Sequence, residues 1–129
     1  MGVLARTIAV IDDDDRVLES LQNLLASCGY KAEMYSSADF FLTSGALSRT
    51  SCIITDVEMR RMSGLGLLQH VRSRKSDVPV IIITGKPSDN SETFYLDRGA
   101  NGFFRKPIDG DALLNPNKQS VLRRWLGRG

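Results

Sequence analysis

Five short apolar runs separated by helical patterns constrain this chain more than any other feature. Ile8-Ala9-Val10-Ile11, Cys52-Ile53-Ile54-Thr55 and Val78 to Thr84 carry almost no polar residue. Such runs are too short for helices and lack the alternation of a half-solvated strand. They read as strands buried on both faces. Ala32 to Tyr35 is a second, weaker strand, and Gly102-Phe103-Phe104-Arg105 is a fifth. Between the first two strands, Val17, Leu18, Leu21, Leu24 and Leu25 recur at helical spacing, with Gly29 placed as the stop. Ser36 or Ser37 can cap a short helix through Phe40, Phe41 and Leu42, which Gly45 closes. Leu65, Leu67, Leu68 and Val71 mark a helix after Gly64. Residues 91–98 read only weakly as a helix, because Glu92, Thr93, Asp97 and Arg98 leave little apolar face. A last helix should start near Asp109 and carry Leu113 and Leu114. Pro116 interrupts it, and Val121, Leu122, Trp125 and Leu126 resume the spacing. Strands alternating with helices predict an α/β fold with a parallel sheet and right-handed crossovers, helices on both faces.

A chain of 129 residues that is 42% apolar and 25% charged is an ordinary globular domain, long enough to need no disulfide or structural metal. Cys28 and Cys52 have no metal-ligand spacing and sit in apolar surroundings. They read as buried free thiols in a reducing compartment. No apolar run approaches a bilayer span, and the first residues show no signal-peptide pattern, so a cytoplasmic location is expected. Charge is unevenly spread. Residues 1–117 carry 13 basic and 15 acidic side chains, a balance of −2; residues 118–129 carry four basic and no acidic ones.

The ends of the strands hold the chemistry. The first ends in Asp12-Asp13, the third in Asp56, the fourth in Thr84, and the fifth runs into Lys106-Pro107. A parallel sheet brings these ends to one edge, where ligands of such sheets bind. Taken singly, each residue has an ordinary use. An acidic run before a helix complements its dipole, which is the preferred reading for Asp14 and Asp15. Together they form a coherent set. Clustered carboxylates repel one another and invite a hard divalent cation such as Mg2+, held by carboxylates and a backbone carbonyl. A carboxylate can also attack phosphorus to give an acyl phosphate, with a lysine and a hydroxyl neutralising the transferring oxygens.

On these residues the sequence resembles the response-regulator receiver family of two-component signalling. The resemblance is carried by Ile11-Asp12-Asp13, Thr55-Asp56-Val57-Glu58-Met59, Met62-Ser63-Gly64, Ile83-Thr84-Gly85, Gly99-Ala100 and Phe103-Phe104-Arg105-Lys106-Pro107. It runs from about Arg6 to Leu114 and is nearest to the branch with helix-turn-helix outputs. It implies a doubly wound five-stranded sheet of order 2-1-3-4-5 and a receiver domain over residues 5–115. Residues 116–129 would be the end of the last helix or the start of a linker. The resemblance also implies that Asp56 is phosphorylated by a sensor histidine kinase. Mg2+ would be held by Asp12, Asp13, Asp56 and the backbone carbonyl of Glu58. Thr84 and Lys106 would bind phosphoryl oxygens, Phe103 would be the switch aromatic, and the Lys106–Pro107 bond would be cis. A C-terminal DNA-binding output domain is a possible partner, and two copies could pair on phosphorylation. Neither membrane nor direct nucleic-acid contact is expected of this domain.

The chain departs from the family pattern at Arg60, where proline is usual after Met59, and Arg61 follows it. Two added cations could draw in an anionic donor, or form a solvated turn. Glu58 and Lys86 lie two residues past Asp56 and Thr84, positions that tune phosphate lifetime in the family; they are expected to pair across the site mouth. His70 is the only histidine, and no helical bundle surrounds it to make a phosphohistidine carrier. Trp125 and the basic tail read as a helix end or linker rather than a DNA surface. The competing readings are a phosphorylation-independent interaction module, a small phosphohydrolase using Asp56, and a flavin-binding protein. The hydrolase would need a substrate pocket and a cap, for which 129 residues leave no room, and the flavin reading lacks a phosphate-cradling loop after the first strand, where four aspartates would repel the phosphate.

Overall fold

The computed structural model describes residues 7–86, 88 and 90–108. Strand β1 (Thr7–Ile11) leads to α1 (Asp15–Ser27), β2 (Lys31–Tyr35) and α2 (Ala38–Thr43). A 3-10 turn (Ala46–Arg49) precedes β3 (Cys52–Asp56), α3 (Gly64–Ser73), β4 (Val80–Thr84), α4 (Ser91–Asp97) and β5 (Gly102–Arg105). All strand pairs are parallel and the order is 2-1-3-4-5, as expected. The expected helix from Asp109 and the proposed boundary at residue 116 lie outside the described residues.

Every residue of β1, β3 and β4 is buried, because helices cover both faces of the sheet. Alternate side chains feed two separate cores. Ala9, Ile11, Ile53, Val80 and Ile82 meet Phe41, Leu67, Leu68 and Val71 from α2 and α3. Ile8, Val10, Ile54, Ile81 and Ile83 point the other way, against Leu18, Leu21 and Leu25 of α1. The strand register is thereby enforced, since a one-residue slip would exchange the two sets. Helix starts follow local chemistry: Asp14, Ser37 and Ser63 accept hydrogen bonds from Arg16, Phe40 and Gly66.

Several expectations need correction. β4 starts at Val80, two residues later than its apolar run, because Pro79 has no N–H to give to a ladder. The Pro79 carbonyl still accepts from the Ile53 N–H at 2.8 Å. Gly45 does not simply end α2; at φ +77° it opens the 3-10 turn. Cys28 is exposed rather than buried, because it caps α1 just past Leu25, where the chain turns outward at Gly29. Cys52 is buried, and burial pushes its thiol up to about 12. Residues 91–97 do form a helix, yet only Ser91 of it is buried, and Phe94 and Leu96 stay partly exposed. Among the described residues no helix is long and apolar enough to cross a membrane.

Arg72 is a structural residue that periodicity does not reveal. Its Nε and Nη2 both donate to the Gly99 carbonyl (3.2 and 2.8 Å), and Nη1 donates to the carbonyls of Ser76 (3.0 Å) and Val78 (2.9 Å). Nη2 also reaches Asn101 Oδ1 at 2.9 Å, which accepts in turn from the Val80 N–H. One guanidinium thus joins the end of α3 to the starts of β4 and β5. Arg72→Ala leaves several carbonyls unpaired and should cost about 3 kcal/mol in urea unfolding; a loss below about 1 kcal/mol would contradict the staple.

Candidate functional site

The register of the sheet sets the site. Ile11 pairs with Thr55, Asp56 with Ile83, and Thr84 with Arg105, so the ends of four strands finish at one edge. The sheet winds outward in opposite directions from β1 and β3, which leaves a crevice beyond their carboxyl ends. Asp12 is fully buried there, and its Oδ1 accepts from the Asp14 N–H at 2.9 Å. Asp14 caps α1 and Asp15 begins it, the local roles expected of both. The Arg16 N–H that Asp14 accepts lowers its carboxyl below the ordinary range.

Asp56 ends β3 and is 5% exposed. The turn behind it is tight: the Gly64 N–H donates to the Val57 carbonyl at 2.9 Å, and a Cβ at Gly64 would collide with the Asp56 carbonyl. Only glycine lets α3 start this close to the strand. Thr84 is 3% exposed, and its Oγ1 accepts from the Lys86 N–H at 3.1 Å. The Thr84 carbonyl accepts from the Lys106 N–H at 2.8 Å, which positions the lysine at the end of β5. The Lys106–Pro107 bond is cis, as expected.

Lys106 closes the arrangement. Its Nζ lies 2.8 Å from Asp12 Oδ2 and 3.1 Å from Asp56 Oδ1. Residues 8–116 match the family model described as "Response regulator receiver domain". The chain belongs to that family. It is 38% identical over 121 residues to the transcriptional regulatory protein FixJ of Azorhizobium caulinodans, covering 94% of this chain and 55% of that protein. It is 36% identical over 114 residues to the response regulator protein TodT of Pseudomonas putida, covering 88% of this chain and 50% of that one. The chain therefore spans about half the length of the curated relatives it matches. The structure of response regulator StyR superposes with a TM-score of 0.76 at 30% identity, over 91% of this chain and 59% of that one. FixJ-N superposes at 0.72 and 31%, over 84% and 86%.

In this receiver domain, Asp12, Asp13 and Asp56 each offer a carboxylate oxygen within 4.8 Å of the others. The donor set fits a hard divalent cation. Asp12 Oδ2 supports the fit: it is buried, and among the described residues it is met by the Lys106 ammonium at 2.8 Å without a well-aligned hydrogen bond. The Glu58 side chain is exposed and stands outside this carboxylate cluster. Phe103 is half-buried and stacks on Tyr95, ring centroids 6.1 Å apart and planes 13° apart. Tyr95 was not visible as a partner from sequence; only its place in a weak helix was. Glu58 and Lys86 do not pair, since neither makes an ion pair among the described residues. Both are exposed, where pairing brings little. The negative charge of Glu58 falls instead on Tyr95, whose phenol is raised first by burial and then by that charge.

Burial, then the charge of Asp12, raises the Asp56 carboxyl above its ordinary 3.8, and Lys106 only partly offsets this. Burial pulls Lys106 down, but Asp12 and Asp56 together hold it above 10.5, so it stays charged at neutral pH. A raised carboxyl binds its proton more tightly in the folded state. That contribution to stability is complete below the unfolded value and lost as pH rises through the folded one. Ionised Asp56 therefore destabilises the cation-free protein at neutral pH. With a chelator present, Asp56→Asn should melt a few degrees above the parent at neutral pH. The gap should close on acidification through the carboxylate range. Equal melting at neutral pH would contradict this.

Proposed function

We propose that Asp56 is the phosphoacceptor and that Asp12, Asp13, Asp56 and the Glu58 carbonyl hold Mg2+. The carrying observation is the Lys106 ammonium placed against both Asp12 and Asp56 at a buried strand edge. The carboxylate of Asp56 attacks phosphorus as the bond to the donor breaks, and an acyl phosphate forms. Bound Mg2+ would supply charge neutralisation for the phosphoryl oxygens. Lys106 stays protonated and can pair with one of those oxygens, while Thr84 exchanges its bond from the Lys86 N–H for a bond to another. Asp56 modifies only itself, so the domain acts as a switch and not as an enzyme in the usual sense.

The phosphoryl group adds roughly two negative charges at the sheet edge. Taking a two-state equilibrium from 1:99 to 99:1 needs about 5.5 kcal/mol of differential stabilisation. Thr84 and Phe103 are one strand apart, and movement of Thr84 would alter the packing of Phe103 on Tyr95. The family points to a sensor histidine kinase as donor and to a cytoplasmic setting. The likeness to FixJ and TodT, whose matched parts are 55% and 50% of their lengths, supports a receiver over residues 5–115. Residues 116–129 would lead toward a DNA-binding output domain of helix-turn-helix type. Pairing of two phosphorylated copies is compatible with this reading. Lys86 contributes its backbone to Thr84, and Pro107 follows Lys106 through the cis bond.

Beryllofluoride with Mg2+ mimics the acyl phosphate and tests the switch. Amide shifts at Thr84 and Phe103 should change in the parent and stay fixed in Asp56→Asn. Unchanged shifts in the parent would favour a phosphorylation-independent interaction module.

A further inference from the structure

Lys106 serves two of the three clustered carboxylates, and the third has its own partner. The Arg60 N–H donates to Asp13 Oδ2 at 3.2 Å, and the Arg60 guanidinium Nε lies 3.9 Å from the same oxygen. Arg60 comes from the β3–α3 loop, so the contact ties that loop to the end of β1 across 47 positions of sequence. The neighbouring Arg61 behaves differently. It sits at φ +70°, and its Nε faces Asp39 of α2 at 3.5 Å. Two adjacent arginines thus serve different acids, and only one of those acids belongs to the cation cluster.

We propose that Arg60 is an internal counter-charge that weakens divalent-cation binding at the Asp12–Asp13–Asp56 cluster. This rests on reading that cluster as the Mg2+ site. A cation arriving at Asp13 meets a carboxylate already faced by a guanidinium, and the two positive charges repel. The Arg60 side chain is 88% exposed, so the effect is partly screened and depends on salt. The charge and the backbone bond act separately. Replacement by alanine removes the guanidinium and keeps the N–H that positions Asp13. Arg61→Ala removes an equal charge from the next residue, whose acid partner is Asp39 rather than a cluster carboxylate, and serves as the control.

The test is calorimetric titration of Mg2+ into the whole chain at low and high salt, for the parent, Arg60→Ala, Arg60→Lys and Arg61→Ala. An exposed pair of this kind leads us to expect Arg60→Ala to bind roughly threefold tighter than the parent at low salt. Arg60→Lys and Arg61→Ala should stay near the parent, and added salt should narrow the gap. Equal affinities for parent and Arg60→Ala, equal tightening in both alanine variants, or a gap that salt leaves unchanged would overturn the inference. A parent that binds Mg2+ at neither salt concentration would overturn the reading of the cluster itself, and this inference with it.

Discussion

The ammonium of Lys106, between Asp12 and Asp56, is the interaction on which the site depends. These carboxylates stand at the ends of neighbouring strands and are both buried, and burial, then the charge of Asp12, raises the Asp56 carboxyl. A buried carboxylate needs a partner, and β5 delivers one through a backbone bond from Lys106 to Thr84. The same bond joins the hydroxyl-bearing strand to the lysine-bearing one. Charge balance and strand register are therefore parts of one arrangement. The site remains short of positive charge even so, and that shortage suits it to a cation and then to a phosphoryl group.

The scaffold meets these demands through strand register and one close turn. β1, β3 and β4 are buried on both faces, which fixes their register and hence the alignment of their ends. Gly64 lets α3 begin against the backbone of Asp56. Arg72 holds the opposite ends of β4 and β5 through carbonyl contacts. Rigidity below the site and a tight turn beside it hold Asp56 in place, whereas Tyr95 and Phe103 lie at a less buried margin where repacking costs less.

Much of this was legible in the sequence, for physical reasons. Strands buried on both faces announce themselves as apolar runs, and the residue after each run must lie at the sheet edge. That alone places Asp12, Asp13, Asp56, Thr84 and Lys106 together at one edge. Boundaries set by a single backbone group were less legible: Pro79 delays β4, and Gly45 opens a 3-10 turn rather than ending a helix. Contacts between distant loops were not legible at all. Arg60 reaches Asp13 across 47 positions and Arg72 reaches Gly99 across 27, and no periodicity encodes either. The expected Glu58–Lys86 pair failed for the same reason, because sequence spacing says nothing about where two exposed side chains point.

The central claim is that the carboxylate of Asp56 receives the phosphoryl group. Its most direct test is to phosphorylate the chain with acetyl phosphate and Mg2+, reduce the acyl phosphate with borohydride, and locate the product by peptide mass spectrometry. Conversion of Asp56 to homoserine, absent from Asp56→Asn, is the predicted result. Conversion at a different carboxylate in the parent protein, or none at all, would contradict the account.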